Sequence, residues 1–561
     1  MKGGFLAYFS DLVAGTLSES LATTGQNNLT GKINLERPAS RQHGDLATNI
    51  ALIAAGPAGV PPRQLAVKLL EKLTASPELH ELCSSIKLAG PGFINFTLAP
   101  DALIEAARQA LAQGPDFGSG TIRQPQKMLI EFVSANPTGP LHAGHARYAA
   151  YGDSLKRLLE FTGNEVTAEF YINDYGSQMD LFACSLAACY AGLLGQKVPF
   201  PEDGYQGEYV KGMAERIKGE IGEKYAGTVS PEPDEETLEY FKKRGCELML
   251  EEIKEELGRF RVHFDSWYSE AGLYSSGAAQ EAVEELKKAG EAVENEGALW
   301  LQTSRYGDDK DRVLIRSSGE PTYFASDIAY HRDKLSRGFD RLIDIWGADH
   351  HGYVARMKAA FAALSHDQEQ LEIIIGQLVN VVEMGERKQM SKRAGQMVSL
   401  KELLDSIGVD AARFYLVDRS HDSTLDLDLK KATLQSEENP VYYVQYAHAR
   451  ICSILKKAEA EGAGTEPGNS YNRVEDEERE LILKLLEFPQ ITLAAADSRS
   501  PQRITAYSRE LAAIFHVFYH NCPVIKAEAA ASAFRLDLCR LTRNVISRSL
   551  GLVGVSAPES M

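Results

Sequence analysis

His142 and His145 stand three residues apart with Gly144 between them, directly after the Pro- and Gly-rich run "NPTGPL" and before the Ala-rich "ARYAAYGDSLKRLLEF". Residues at i and i+3 share one face of a helix. If the loop ends near His142, both imidazoles lie on a first helical turn, where unsatisfied N–H groups and the macrodipole favour anions. Gly144 removes a side chain, so a flat ring can lie against the backbone. Polar donors, a bare backbone patch and a helix N-terminus suit a nucleotide. A metal reading is weak, because His-x-x-His has neither a nearby cysteine nor an evident third ligand. Two structural histidines are the plain alternative. Far downstream, "KQMSKRAG" (388–395) sets Lys392 and Arg393 on a loop after a strand-like segment.

These residues need elements to position them. "KMLIEFVS" (127–134) is a strand by its apolar, β-branched and aromatic content. The loop and helix follow, with Gly163 as the helix stop, and "EVTAEFYIND" is the next strand. Strand, Gly/Pro loop, helix, strand is the unit of a doubly wound α/β sheet of Rossmann type. Residues about 180–300 read as a charged helical insertion. Alternation resumes through "DRVLIRSS", "RLIDIWGADHH" and "LEIIIGQLVNVV", the second half of a parallel sheet. Residues 1–112 form a small α/β module, closed by the Gly/Pro-rich "AQGPDFGSGTIRQPQ". The catalytic domain is expected over 120–400 and an all-α domain over 401–561.

A chain of 561 residues exceeds one core. Seven scattered cysteines without a CxxC pair argue against both a disulfide framework and structural zinc. No apolar run reaches the roughly 18–20 residues of a membrane span. The start "MKGGFLAYFSDLVAG" lacks a signal-peptide core, so a cytoplasmic protein is expected. The net charge of −18 is unlike a nucleic-acid binder, yet from residue 498 onward 8 basic residues face 4 acidic ones. A basic face there could meet a polyanion.

The two motifs together resemble those of class I aminoacyl-tRNA synthetases: His-Ala-Gly-His is similar to the "HIGH" motif and "QMSKR" (389–393) to "KMSKS". Gln389 stands where that motif usually has its first lysine, Lys388 lies one position earlier, and Lys392 is retained. The wider matches "EFVSANPTGPLHAGHAR", "YINDYGSQM", "TYFASDIAYHRDKL", "GADHHGYVARMKAA", "GVDAARFYLVDRS" and "NPVYYVQYAHARICSI" resemble the arginyl-tRNA synthetase family over essentially the whole chain. "HGDLATNIAL" and "GPGFINFTL" resemble that family's N-terminal domain, which touches the tRNA elbow. The C-terminal helices resemble its DALR-type anticodon-binding domain.

The resemblance implies an arginine–tRNA ligase that uses ATP with Mg²⁺ through an arginyl-adenylate. It identifies Asn136, Pro137, Thr138, Gly139, Pro140, Leu141, His142, Ala143, Gly144 and His145 as the first-motif region and places His142, Gly144 and His145 at the phosphates and adenine of ATP. Met390, Ser391 and Lys392 close on it, with His142, His145 and Lys392 as the catalytic set. "GADHH" ends a strand, so Asp349, His350 and His351 are ribose or phosphate candidates, with helix capping as the alternative for Asp349. Glu131, Tyr323 and Asp327 fall to the guanidinium, which wants carboxylates in fork geometry, and Ser134 and Asn136 to the α-amino and carboxylate groups. Contacts to tRNA(Arg) are expected at Asn95, Tyr443, Tyr446 and Arg450. A monomer without membrane partner is expected. A cysteinyl enzyme would want zinc-binding cysteines that are missing here, and a non-catalytic tRNA-binding relative would not need His142, His145 and Lys392.

Overall fold

Strand Lys127–Glu131 lies at the middle of a five-stranded sheet, and its residues Met128 to Glu131 are buried, as befits a parallel strand covered on both faces. A computed structural model describes residues 4–23, 33–122, 124–231, 233–383, 386–387, 398–463 and 471–561. The spatial order of the sheet is Leu371–Gly376, Arg341–Gly347, Lys127–Glu131, Glu165–Ile172, Ser266–Ser269, with every neighbouring pair parallel. The chain leaves the middle strand through helix Ala143–Thr162 to reach Glu165–Ile172, and only later returns to the other side at Arg341–Gly347. The order therefore reverses between Lys127–Glu131 and Arg341–Gly347. Ligands of open α/β sheets bind at the carboxyl ends of the strands at such a reversal.

Three strand assignments differ from the sequence reading. The span read as a helical insertion does contain helices Ser177–Leu193, Glu208–Ile221 and Glu235–Arg259, but Ser266–Ser269 within it is an edge strand of the central sheet. Arg312–Ile315 does not join the parallel sheet; it pairs antiparallel in a separate three-stranded sheet with Ala292–Asn295 and Ala298–Leu301. Val379–Glu383 also leaves the central sheet and pairs in parallel with Leu425–Asp428, a strand inside the region read as all helical. Short β-branched runs announce a strand but carry no record of which partner they will meet.

The N-terminal module is an antiparallel sheet, Leu46–Thr48, Phe93–Leu98, Cys83–Ala89, under helices Gly4–Thr23, Ile50–Ala58 and Pro62–Ala75. The chain ends in helices Pro440–Ala460, Asp476–Leu486, Phe488–Asp497, Gln502–Asn521 and Ala529–Leu552. One buried apolar cluster runs from Phe9 and Phe96 through Leu155 and Phe170 to Leu511 and Val545. Among the described residues no helix is long and apolar enough to cross a membrane.

Candidate active site at the strand reversal

Helix Ala143–Thr162 begins with a cap made of the two histidines. The Nδ1 of His142 accepts from the Gly144 N–H at 3.1 Å, and the Nδ1 of His145 accepts from the His142 N–H at 3.3 Å. The rings stack with centroids 3.7 Å apart. An imidazole that accepts at Nδ1 carries its proton at Nε2 when neutral, so each ring is fixed as an Nε2–H donor. Gly144 is required by this arrangement: a Cβ there would come within 2.9 Å of His142 Cε1. The His142 ring thus lies close against the Gly144 backbone.

The loop before the cap begins at Val133 and Ser134, both at positive φ, 72° and 41°. Ser134 Oγ donates to Glu131 Oε1 at 2.8 Å and accepts from the Tyr171 N–H at 3.3 Å, and the Ser134 carbonyl accepts from Asn173 Nδ2. Asn136 donates to Gln178 Oε1 at 2.5 Å. Beyond the second motif, Val398 and Leu400 bond to Ala143 and Leu141 through the backbone, so the chain re-enters beside the first motif. Gln389, Met390, Ser391 and Lys392 lie outside the described residues.

Carboxylates gather around the middle strand in two groups. In the first, the fully buried Lys334 donates to Glu131 Oε2 at 2.6 Å and to Asp344 Oδ1 at 2.7 Å, and His331 Nε2 lies 2.7 Å from Asp344 Oδ2. Burial opposes the charge on Lys334, but the two carboxylates outweigh it and hold its pKa above the usual lysine range. Glu131 is therefore engaged by Lys334 and Ser134 within the protein. In the second group, Asp327 accepts from the Tyr353 hydroxyl, and burial raises its pKa against the pull of Tyr353 and His331. Glu270, 8% exposed, is pushed up to about 7, first by burial and then by the charges of Asp327 and Asp174. Among the described residues neither Asp327 nor Glu270 makes an ion pair with a cation. The sequence reading missed Glu270; its only signal is a glutamate directly after a four-residue strand, at the carboxyl end where ligands bind.

Tyr323 opens helix Tyr323–Ser336 and is 60% exposed, with its hydroxyl near Gly176. Asp349, His350 and His351 are exposed in the turn Ala348–Tyr353 that follows strand Arg341–Gly347. Asp349 makes no capping bond there and lies 3.4 Å from His350 Nε2. Farther off, Asn95 lines a cavity of about 400 Å³ with Phe93, Asn34 and Asn49. Tyr443 and Tyr446 pack on His516, and the Arg450 guanidinium lies over the Tyr446 ring at 4.6 Å. Among the described residues no group of three or more His, Cys, Asp or Glu side chains is arranged to hold a metal ion.

Known families match along the chain. Residues 11–98 match the arginyl tRNA synthetase N-terminal domain, 107–452 the catalytic domain of class I (R) tRNA synthetases, and 444–561 the DALR anticodon binding domain. The chain is 46% identical over 535 residues to an arginine–tRNA ligase of Desulfitobacterium hafniense, covering 94% of this chain and 93% of that one. It is 44% identical over 556 residues to arginine–tRNA ligase 1 of Bacillus anthracis, covering 98% of each. Its fold is that of the Thermus thermophilus arginyl-tRNA synthetase, with a TM-score of 0.78 at 24% identity over 98% of this chain and 100% of that one. With all three domains matched in order, the chain belongs to the arginyl-tRNA synthetase family of class I aminoacyl-tRNA synthetases.

Proposed function

We propose that the chain ligates L-arginine to tRNA(Arg), with ATP converted to AMP and pyrophosphate. The observation that carries the arginine assignment is the pair Glu270 and Asp327, two desolvated carboxylates without an internal cation beside a second pair that Lys334 already neutralises. A guanidinium, planar and permanently charged, meets that need with a fork of donors. Tyr323, whose hydroxyl lies near Gly176, is assigned to the guanidinium with them. Glu131 and Ser134, bonded to each other, are assigned to arginine as well, Ser134 with Asn136 on the side of its α-groups.

The arginine carboxylate attacks the α-phosphorus of ATP, and pyrophosphate leaves with the electron pair of the broken P–O bond. Negative charge grows on phosphate oxygens, which the Nε2–H groups of His142 and His145 and the helix N-terminus are suited to receive. The terminal ribose hydroxyl of tRNA, 2′ in this class, then attacks the arginyl carbonyl, and AMP leaves. Neither step needs a protein nucleophile; catalysis is positioning and electrostatic stabilisation. Mg²⁺ fits here as a companion of the ATP phosphates, since such ions are commonly held through substrate oxygens rather than a protein cage. Gly144, Asp349 and His350 are assigned to ATP. Met390, Ser391 and Lys392 are assigned to it by the resemblance of their stretch alone. The Asn95 cavity and the Tyr443, Tyr446 and Arg450 surface are assigned to tRNA, where stacking and phosphate contacts suit RNA. A cytoplasmic monomer completes the proposal.

Amino-acid-dependent ATP–pyrophosphate exchange, run with each of the twenty amino acids in the presence and absence of tRNA, tests this reading. Arginine alone is expected to support exchange, and charged tRNA(Arg) to accumulate. Exchange indifferent to arginine would overturn it.

A further inference from the structure

The loop that delivers His142 starts under strain. A positive φ is uncommon outside glycine and a true outlier for a β-branched residue such as Val133. Such turns persist where the surroundings over-determine them, and they cluster at functional sites. The near end of the loop is tied to the central sheet through Ser134. Its far end is tied to the inserted helices. Gln178, in helix Ser177–Leu193, accepts from Asn136, and the Tyr209 hydroxyl donates to the buried Thr138 carbonyl at 2.9 Å. Tyr209 lies in the first turn of helix Glu208–Ile221. Its ring covers Gly207, where a Cβ would come within 2.8 Å, and its hydroxyl is 3.3 Å from the place of a Cβ on Gly139. The inserted helices thus reach the first motif at one point on each side of Pro137.

We propose that Tyr209 is a positioning residue for amino-acid activation: its hydroxyl fixes the Thr138–Gly139 backbone and, through it, the place of the His142–His145 cap. The inserted helices act on the chemistry through this bond. This rests on the reading of His142 and His145 as the ATP end of the site. Small misplacements of reacting groups carry large rate penalties, up to about 10²-fold for 1 Å.

Tyr209→Phe in the full chain keeps the ring and removes only the hydroxyl. In tRNA-supported ATP–pyrophosphate exchange its kcat is expected to fall roughly 5- to 50-fold, with the arginine KM and the thermal midpoint close to those of the parent. Gly139→Ala should also slow exchange, because its Cβ presses on the hydroxyl. The double variant Y209F/G139A should then be no slower than Y209F, since the contact that alanine disturbs is already gone. His142→Ala, measured in parallel, separates the two readings. H142A at the parent rate overturns the ATP assignment of the motif. H142A inactive with Y209F at the parent kcat overturns the role of Tyr209 alone. A Y209F whose kcat loss comes with a lowered thermal midpoint and a raised arginine KM also overturns it, because that pattern is general loosening. Losses that simply multiply in Y209F/G139A would show that the hydroxyl does not bear on Gly139.

Discussion

Asp327 and Glu270 both offer a cationic ligand a carboxylate whose pKa burial raises. Asp327→Asn keeps the size of the side chain but replaces a charged acceptor by an amide whose NH₂ faces the donors of the guanidinium. Losing the partner of a buried charge costs about 2–5 kcal/mol, or roughly 30-fold to several thousand-fold in arginine KM. Citrulline, neutral where arginine is charged, should lose much less. Equal losses for the two ligands at saturating ATP and tRNA would remove Asp327 from the pocket. Glu270 adds a pH dependence. Its value of about 7 lies above the ordinary 4.5, so between these values the empty folded protein binds more protons than the unfolded chain. Stability therefore falls as pH rises from about 4.5 to about 7. Guanidinium binding favours the carboxylate instead. Below pH of about 7 arginine must displace a proton, and its affinity should climb by up to about tenfold per pH unit before levelling off. Calorimetric titration of arginine in buffers of different ionisation enthalpy reads both affinity and proton release. Glu270→Gln should flatten the profile, and a flat profile for the parent would show that Glu270 does not titrate against the ligand.

Helix Tyr323–Ser336 shows how much of this was legible. Tyr323, Asp327, His331 and Lys334 recur at helical spacing, and family resemblance picked out the first two. Nothing in "YHRDKL" separates Lys334, fully buried between Glu131 and Asp344, from Arg332, which pairs at the surface with Glu285. Burial of a charge is decided by partners more than 200 residues away in the chain for Glu131 and only 10 away for Asp344, and a local pattern records neither. The helix after the Gly/Pro loop and the strands at 127–131, 165–172, 341–347 and 371–376 were readable because short apolar, β-branched and aromatic runs set off by Gly, Pro or polar residues leave few alternatives. Ser266–Ser269, four half-buried residues, was too short, and with it Glu270 was lost. The burial of Lys334 makes its own forecast. Lys334→Met leaves Glu131 and Asp344 without their cation and should lower unfolding free energy by about 3–5 kcal/mol. Arg332→Met, on the exposed face of the same helix, should stay within about 0.5 kcal/mol. Chemical denaturation of the two variants side by side checks this; matching midpoints would mean that Lys334 is not the internal counter-charge.

Across the whole molecule, the N-terminal module is fastened to the C-terminal helices. Helix Pro100–Ala112 packs on helices Asp476–Leu486 and Ala529–Leu552. Arg37 bonds Glu480 at 2.7 Å, and Arg479 donates to Asp45 Oδ2 at 2.7 Å and to the Leu98 carbonyl at 3.2 Å. The C-terminal helices are pinned to the sheet in turn: Arg499 grips Glu372 with two nitrogens, and its carbonyl accepts from the Tyr151 hydroxyl on the helix that the histidines cap. The two surfaces proposed to meet tRNA are therefore held at a fixed relation to each other and to the active site. The Asp45–Arg479 contact is the place to test this. Asp45 is 6% exposed, and burial raises its pKa even with Arg479 beside it. Arg479→Met strands that carboxylate. Because Arg479 is partly exposed, the low end of the range for a broken buried pair applies, about 2 kcal/mol, or roughly 30-fold in the docking equilibrium. The KM for tRNA should rise while the arginine KM at saturating tRNA holds, and limited proteolysis should open the connection at residues 113–126. Asp45→Asn in the same chain removes the stranded charge, so D45N/R479M should recover much of the loss, as a double-mutant cycle requires of a direct pair. If R479M keeps the parent tRNA KM and protease resistance, the apolar packing of helix Pro100–Ala112 alone sets the docking, and the ion pair only decorates the interface.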